Sequence, residues 1–284
     1  KPIAINFKEC EEIKREFDKK DIKFLISYPL RHSPLYKKLK NMIDSGKIGD
    51  IISMEFNETL AFSHGAFIMG DWRRLEKYSG GHLLEKCCHD FDLVNWIVDD
   101  MPKKVSSFGD LDFFKQENSD MFSYMNISEE ALEQRKFKNP FTSEKDIVDN
   151  QVVIMEYKNG VRATFHTNCS SSLPERRMYI LGTKGTIKVD VLAGLIQLKT
   201  LDSSEKVTTI DEENRGGHGG GDPYLVRDII NVIEGGESSI DDPLDKSIIS
   251  AVTTSLADEA RKKEKVIHLD NYWKKLGYIK SKKK

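Results

Sequence analysis

Six short runs of alternating character between residues 151 and 210 constrain this chain more than any other feature. Residues 151–157, 161–168, 177–182, 186–191, 195–200 and 206–210 interleave apolar and polar side chains with a period of two, the mark of a strand covered on one face. Asn159-Gly160 between the first two runs is a strong hairpin signal. The turns Gly182-Thr183-Lys184-Gly185 and Asp202-Ser203-Ser204 carry the meander onward. Strands joined by short hairpins imply an antiparallel sheet, which needs covering on only one side.

Upstream the pattern differs. Phe7, Cys10, Ile13 and Phe17 recur at helical spacing, so residues 7–19 form an amphipathic helix. Residues 22–28, ended by Pro29, read as a short buried strand, and helix followed by strand is half of an α/β repeat. Ser33-Pro34 opens a second helix that Gly46 ends. A half-exposed strand follows at 51–60, then a loop to Ser79, a helix over 82–98 and a strand at 105–108. Residues 115–147 are polar and irregular around a short helix at 129–134, and two helices, 222–234 and 243–262, follow the meander. The expected fold is therefore α+β, a truncated α/β portion followed by a mostly antiparallel open sheet packed against helices.

Composition excludes several classes. The chain has 284 residues, enough for one large domain or two smaller ones. Its 44 basic and 46 acidic residues leave a net charge of −2, no footprint for nucleic acid. No apolar run approaches the ~20 residues of a membrane span, and the first residues lack a secretory core. Cys10, Cys87, Cys88 and Cys169 show no CxxC spacing, so the expected setting is reducing and cytoplasmic. The chain starts at Lys1 without a Met, as a processed or partial sequence would.

The helix over 82–98 carries the chemistry. His82, Glu85, His89 and Asp92 share one face, while residues 83, 84, 87, 88, 91 and 94 form a broad apolar band. Paired histidines and carboxylates beside so wide a band suggest a cleft wall, where a carboxylate can fix a tautomer and tune proton transfer. The plain alternative is a solvated polar face. A metal site is not expected, because the His-Glu-x-x-His order and a third-ligand motif are absent. Gly80-Gly81 before the helix permits close backbone approach.

The run Gly80-Gly81-His82-Leu83-Leu84-Glu85-Lys86-Cys87-Cys88-His89-Asp90-Phe91-Asp92 resembles the signature helix of the glucose–fructose oxidoreductase/inositol dehydrogenase (Gfo/Idh/MocA) family. Lys1-Pro2-Ile3-Ala4 resembles the Lys-Pro end of that family's Glu-Lys-Pro motif, and Tyr28-Pro29-Leu30-Arg31 the end of its last Rossmann strand. Lys47-Ile48-Gly49-Asp50-Ile51 is similar to the turn entering the second domain, and Asp71-Trp72-Arg73-Arg74 to the Trp-Arg element before the signature helix. Glu85 stands where the family has the shorter Asp, and Cys87 where Gly is common. The Gly-rich dinucleotide fingerprint that should open such a protein has no counterpart after Lys1, since Gly216–Gly221 follows the meander and lacks its spacing.

The resemblance implies residues 1–46 as the C-terminal remnant of a Rossmann domain and 47–284 as an α+β substrate-binding and oligomerisation domain. It implies oxidation of a secondary alcohol of a sugar, sugar derivative or cyclitol with NAD or NADP, this chain lacking most of the nucleotide domain and inactive alone. Lys1, Glu85 and His89 become the catalytic candidates; Lys1, Pro2 and Arg31 would face cofactor; Arg31, Trp72, Arg73, His82, Asp92 and His218 would contact substrate. Two other classes stay open, an NAD-dependent glycosidase or lyase working by transient oxidation and a non-catalytic sugar-binding or assembly fragment. A homo-oligomer, dimer or tetramer, is expected through the open sheet face, with Tyr157, Phe165, Tyr179 and Ile196 as its apolar contacts.

Overall fold

The computed structural model describes residues 1–20, 22–125, 128–134, 136–211 and 216–280. Helix α1 (Phe7–Phe17) begins where the Asn6 side chain accepts from the Glu9 amide at 3.0 Å and Glu9 returns a carboxylate to the Ile5 amide. This reciprocal cap satisfies amides the first turn would otherwise strand. Helix α2 (Pro34–Asp44) starts on a proline, whose missing N–H costs nothing there. Strand β1 (Ile51–Ala61) leads into α3 (Phe62–Gly70), then α4 (Glu76–Ser79) and α5 (His82–Val98). Gly80 precedes α5 with φ +72°, and a Cβ there would sit 2.8 Å from the Ile5 carbonyl oxygen. Only glycine tolerates both conditions.

Strand β2 (Pro102–Asp110), helix α6 (Glu129–Gln134) and strands β3 (Asn150–Tyr157), β4 (Arg162–Ser171), β5 (Arg177–Gly182), β6 (Gly185–Asp190), β7 (Leu195–Thr200) and β8 (Thr208–Asp211) follow. The chain continues with α7 (Gly217–Gly220), α8 (Asp222–Ile233), α9 (Pro243–Lys262), β9 (Ile267–His268) and α10 (Asp270–Lys275). The strands form one sheet in the order β8-β7-β6-β5-β1-β4-β3-β2-β9. Every pairing is antiparallel except β1 with β4, where Phe56 lies opposite Phe165. The mostly antiparallel open sheet packed against helices is thus the architecture, and the Asn159-Gly160 hairpin joins β3 to β4 as expected.

The core lies between one sheet face and the helices. Met54, Phe56, Val153, Phe165, Ile180 and Ile196 from the strands meet Leu84, Cys88 and Phe91 of α5 and Ile248, Val252 and Leu256 of α9. Helix α5 is buried nearly all round, so its polar residues must find partners inside the protein. A second cluster of Phe62, Phe113, Phe114 and Phe141 sits over one end of the sheet with Cys169. Asp149 pins that end, its carboxylate accepting from the Asp112, Phe113 and Phe114 amides.

Several expectations are overturned. Residues 22–28 form no strand; among the described residues no strand lies beside them, and Ile22 is exposed. An apolar run needs a neighbouring ladder to become a strand, and periodicity cannot report one. The stretch from 61 to 79 is helical rather than loop, because Ala66, Ile68 and Met69 bury against the aromatic cluster. β9 and α10 were not visible in the pattern: β9 has two residues, and α10 is fixed mainly by Trp273, whose indole N–H donates to the Pro102 carbonyl at 2.6 Å. Tyr157, Phe165 and Ile196 point into the core, at most 1 % exposed, and only Tyr179 of the four candidate interface residues faces outward. Alternation separates two faces of a strand without saying which one the core covers.

Candidate active site

The N-terminal end of α5 meets the first residues of the chain. The Lys1 ammonium donates to the Glu85 backbone carbonyl and lies 4.0 Å from Glu85 Oε1. Arg73 reaches the same carboxylate, Nε to Oε1 3.1 Å, and its guanidinium is also paired with Asp71. Asp71 caps the short 3-10 turn Trp72–Arg74 by accepting from the Arg73 amide, which fixes where Arg73 starts. The guanidinium stacks over the Trp72 ring at 4.5 Å and lies 5.1 Å from that of Phe67. Trp72 itself is 48 % exposed, a flat apolar surface beside a polar edge. Pro2 is half-buried next to Lys1.

One turn deeper stands His89, 5 % exposed. Its Nδ1 is buried with no hydrogen-bond partner, an arrangement that is uncommon for an interior histidine. The Tyr28 ring meets it edge-on at 5.7 Å, and the His218 ring lies 5.3 Å away at 55°. Burial holds the His89 pKa well below the usual histidine range, and Lys1, Arg176, His218 and Lys86 push the same way. The imidazole is therefore neutral at physiological pH, the form that can act as a base.

His218 approaches from the far end of the chain. Its Nδ1 lies 2.8 Å from Asp222 Oδ1. The glycine-rich segment that carries it turns tightly, with His218 at φ 53° and Gly219 at φ 63°. Ser33 Oγ donates to the Gly219 carbonyl at 2.7 Å, and a Cβ on Gly221 would fall 2.0 Å from the Pro29 carbonyl oxygen. The glycines thus let this segment lie against the chain just before α2.

The other sequence-predicted residues are placed differently. Arg31 and Asp92 hold each other in a buried two-point ion pair, 2.6 and 2.8 Å, with the Arg31 guanidinium 5.6 Å from the Trp96 ring. His82 is buried against the β4 residues Thr167 (3.2 Å to Oγ1) and Cys169 (3.6 Å to Sγ). Burial lowers its pKa to about 4. The four-residue stripe of α5 therefore divides: Glu85 and His89 share an edge with Lys1, while His82 and Asp92 are tied to β4 and to Arg31.

Four further residues escape sequence reasoning. Arg176 clamps Asp90 with two 2.8 Å contacts and lies 3.1 Å from Glu58, which Lys86 reaches at 3.3 Å. Burial, helped by Glu58 and opposed by Arg176, raises the Asp90 pKa; Glu58 is lowered because Arg176 and Lys86 outweigh its burial. Glu58, Cys87 and Asp90 also bring metal-ligand atom types close together. Two cations already occupy that cluster, so it reads as an ion network. Lys86 on a buried helix was the one signal available; the Arg176 partnership is set by strand register, which sequence spacing does not report.

A mostly antiparallel sheet backed by α5 and α9 thus carries a Lys–carboxylate–His edge at the start of α5. The profile of the oxidoreductase family's C-terminal α/β domain matches residues 40–269. The chain belongs to the Gfo/Idh/MocA oxidoreductase family. It is 26 % identical over 278 residues to the oxidoreductase-named YteT of Bacillus subtilis (strain 168), covering 81 % of this chain and 65 % of that one. It is 24 % identical over 196 residues to the 2,7-anhydro-N-acetylneuraminate hydratase of Mediterraneibacter gnavus (strain ATCC 29149), covering 67 % and 44 %. It is 21 % identical to the scyllo-inositol 2-dehydrogenase (NAD(+)) of Bacillus subtilis, covering 68 % and 47 %. The chain thus spans less than two thirds of these curated relatives. Levoglucosan dehydrogenase, solved with NADH and levoglucosan, shares the fold at TM-score 0.72 and 15 % identity, covering 94 % of this chain and 72 % of that one. No helix among the described residues is long and apolar enough to cross a membrane.

Proposed function

We propose that the full-length protein is a nicotinamide-dependent dehydrogenase acting on a secondary alcohol of a sugar, sugar derivative or cyclitol. The observation that supports it is the meeting of Lys1, Glu85 and a buried neutral His89 at one edge. A bound NAD or NADP supplies the two-electron acceptor. Lys1 and Pro2 would stand beside its nicotinamide, and the unpartnered His89 Nδ1 and the Lys1 ammonium suit a polar reactant there. Lys1 polarises the alcohol oxygen as charge develops, His89 takes its proton, and Glu85 positions Lys1. Trp72 offers a flat platform to a sugar ring, and Arg73 offers donors beside it. Arg31 and Asp92, locked together, orient α5 from behind, and His82 braces it against β4.

This reading takes residues 1–46 as the end of a nucleotide domain and 47–284 as the substrate domain. The named inositol dehydrogenase and the NADH-bound levoglucosan enzyme support the cofactor class. Four buried free thiols suit a reducing cytoplasm. Self-association would use the outer sheet face, where Phe108, Val152, Ile154 and Tyr179 are exposed.

The test is reduction of NAD+ and NADP+ by the full-length protein with levoglucosan, inositols and common sugars, followed at the reduced-nicotinamide absorbance. Turnover with one of them is expected; no reduction with any removes the dehydrogenase reading. A second reading, glycosidase or lyase action through transient oxidation, is favoured by the His218–Asp222 pair facing His89 and by the hydratase among the relatives. It requires substrate turnover with no net cofactor reduction. A fragment that only binds sugar would show calorimetric sugar binding without any nicotinamide binding by the full-length protein.

A further inference from the structure

We propose that His218 is the exit for the proton His89 takes up: it passes from the buried imidazole to the His218 ring and then to solvent, with Asp222 steadying the charged ring. This rests on the dehydrogenase reading. When the alcohol is oxidised its C–H electron pair leaves as hydride to the nicotinamide and its O–H proton goes to His89. That proton has to leave before the next cycle, and His89 is only 5 % exposed, with Nδ1 fully buried and unpartnered.

The groups around His89 favour departure. Lys1 from the chain start, Lys86 from α5 itself and Arg176 from the segment before β5 are all cationic, and Tyr28 contributes a neutral ring. Burial and these cations together disfavour a charged imidazolium there. His218 differs in both respects: its side chain is 41 % exposed and its Nδ1 is paired with Asp222 at 2.8 Å, leaving Nε2 to take a proton. Ring centroids 5.3 Å apart bring the two imidazoles within reach of a side-chain rotation or one bridging water. The left-handed backbone at His218 and Gly219 and the Ser33 hydrogen bond hold the ring at that spot. A contact made only for substrate binding would not require a carboxylate behind it.

In the full-length protein, His218→Ala should lower kcat about 10-fold in a weakly accepting buffer, below the full effect of a general base. KM should hold, and added imidazole should restore most of the rate. Asp222→Asn should give a smaller loss of the same kind. A raised KM with no response to imidazole would overturn the relay and leave His218 a substrate contact. The imidazole 15N shifts of His89 in this chain, compared with H218A, read the coupling without turnover. A clear shift is expected, and unchanged shifts overturn the relay even if the wild-type enzyme proves inactive with every alcohol, an outcome that by itself removes only the dehydrogenase reading.

Discussion

His82 and His89 stand on the same helix, both buried and both held neutral, yet their surroundings are opposite. His82 faces β4, where the Thr167 hydroxyl and the Cys169 thiol, with the Cys87 thiol of α5 itself, close around its ring. His89 faces Tyr28, His218 and the Lys1 end of the chain, with one nitrogen unpartnered. A satisfied interior histidine stabilises the fold, whereas an unsatisfied one at a polar edge is available for chemistry. Two positions on α5 thus differ in surroundings, and the proposed mechanism gives the braced one to the fold and the open one to the proton.

The comparison can be broken in four ways. The largest effect belongs to Lys1→Met in the full-length protein, which on the proposed mechanism would remove the cation from the reacting oxygen. Turnover should fall about 100- to 1,000-fold, the scale of a lost transition-state donor, with denaturation midpoint unchanged. His82→Ala should do the reverse. It opens a buried space and removes one of the Thr167 hydroxyl's partners, costing about 2–4 kcal/mol in urea unfolding. An equal loss from His89→Ala would erase the distinction.

Acid should act on both histidines together. Their folded pKa values lie below the unfolded value, so the unfolded chain binds more protons as pH falls through the ordinary histidine range. Stability present at neutral pH is then lost downward, at about 1.4 kcal/mol per pH unit for each histidine until the folded group titrates. For His82 that window runs from the usual histidine value down to about 4. H82N should flatten the slope of unfolding free energy between pH 6 and pH 5 by about that amount. The smallest effect is Trp72→Ala, expected to weaken sugar binding by about 1 kcal/mol as a lost aromatic contact, with stability nearly unchanged because the ring is half-exposed.

Much of this was legible because local periodicity and the final environment agree. The alternation at 151–200 and the Asn159-Gly160 turn report a sheet whose strands pair with sequence neighbours. The same logic fails at 22–28, whose strand character would need a partner ladder. It fails also for Tyr157, Phe165 and Ile196, where alternation marks two faces without saying which is wet. In the site, the spacing of Glu85 and His89 sufficed to place both on one helix face. Helical spacing could not show that Asp92 turns to Arg31 or His82 to Cys169, because both partners come from distant segments. Arg176 was hidden for the same reason: register across β1 and β5, not sequence distance, brings it between Glu58 and Asp90.

The central claim is that His89, and not His82, handles the proton. Nicotinamide reduction by the full-length protein should be measured side by side for wild type, H89N and H82N, each at a temperature where all three are folded. The account predicts a rate lowered about 100-fold or more in H89N and close to wild type in H82N. Near-normal reduction by H89N, or a collapse confined to H82N, would contradict it.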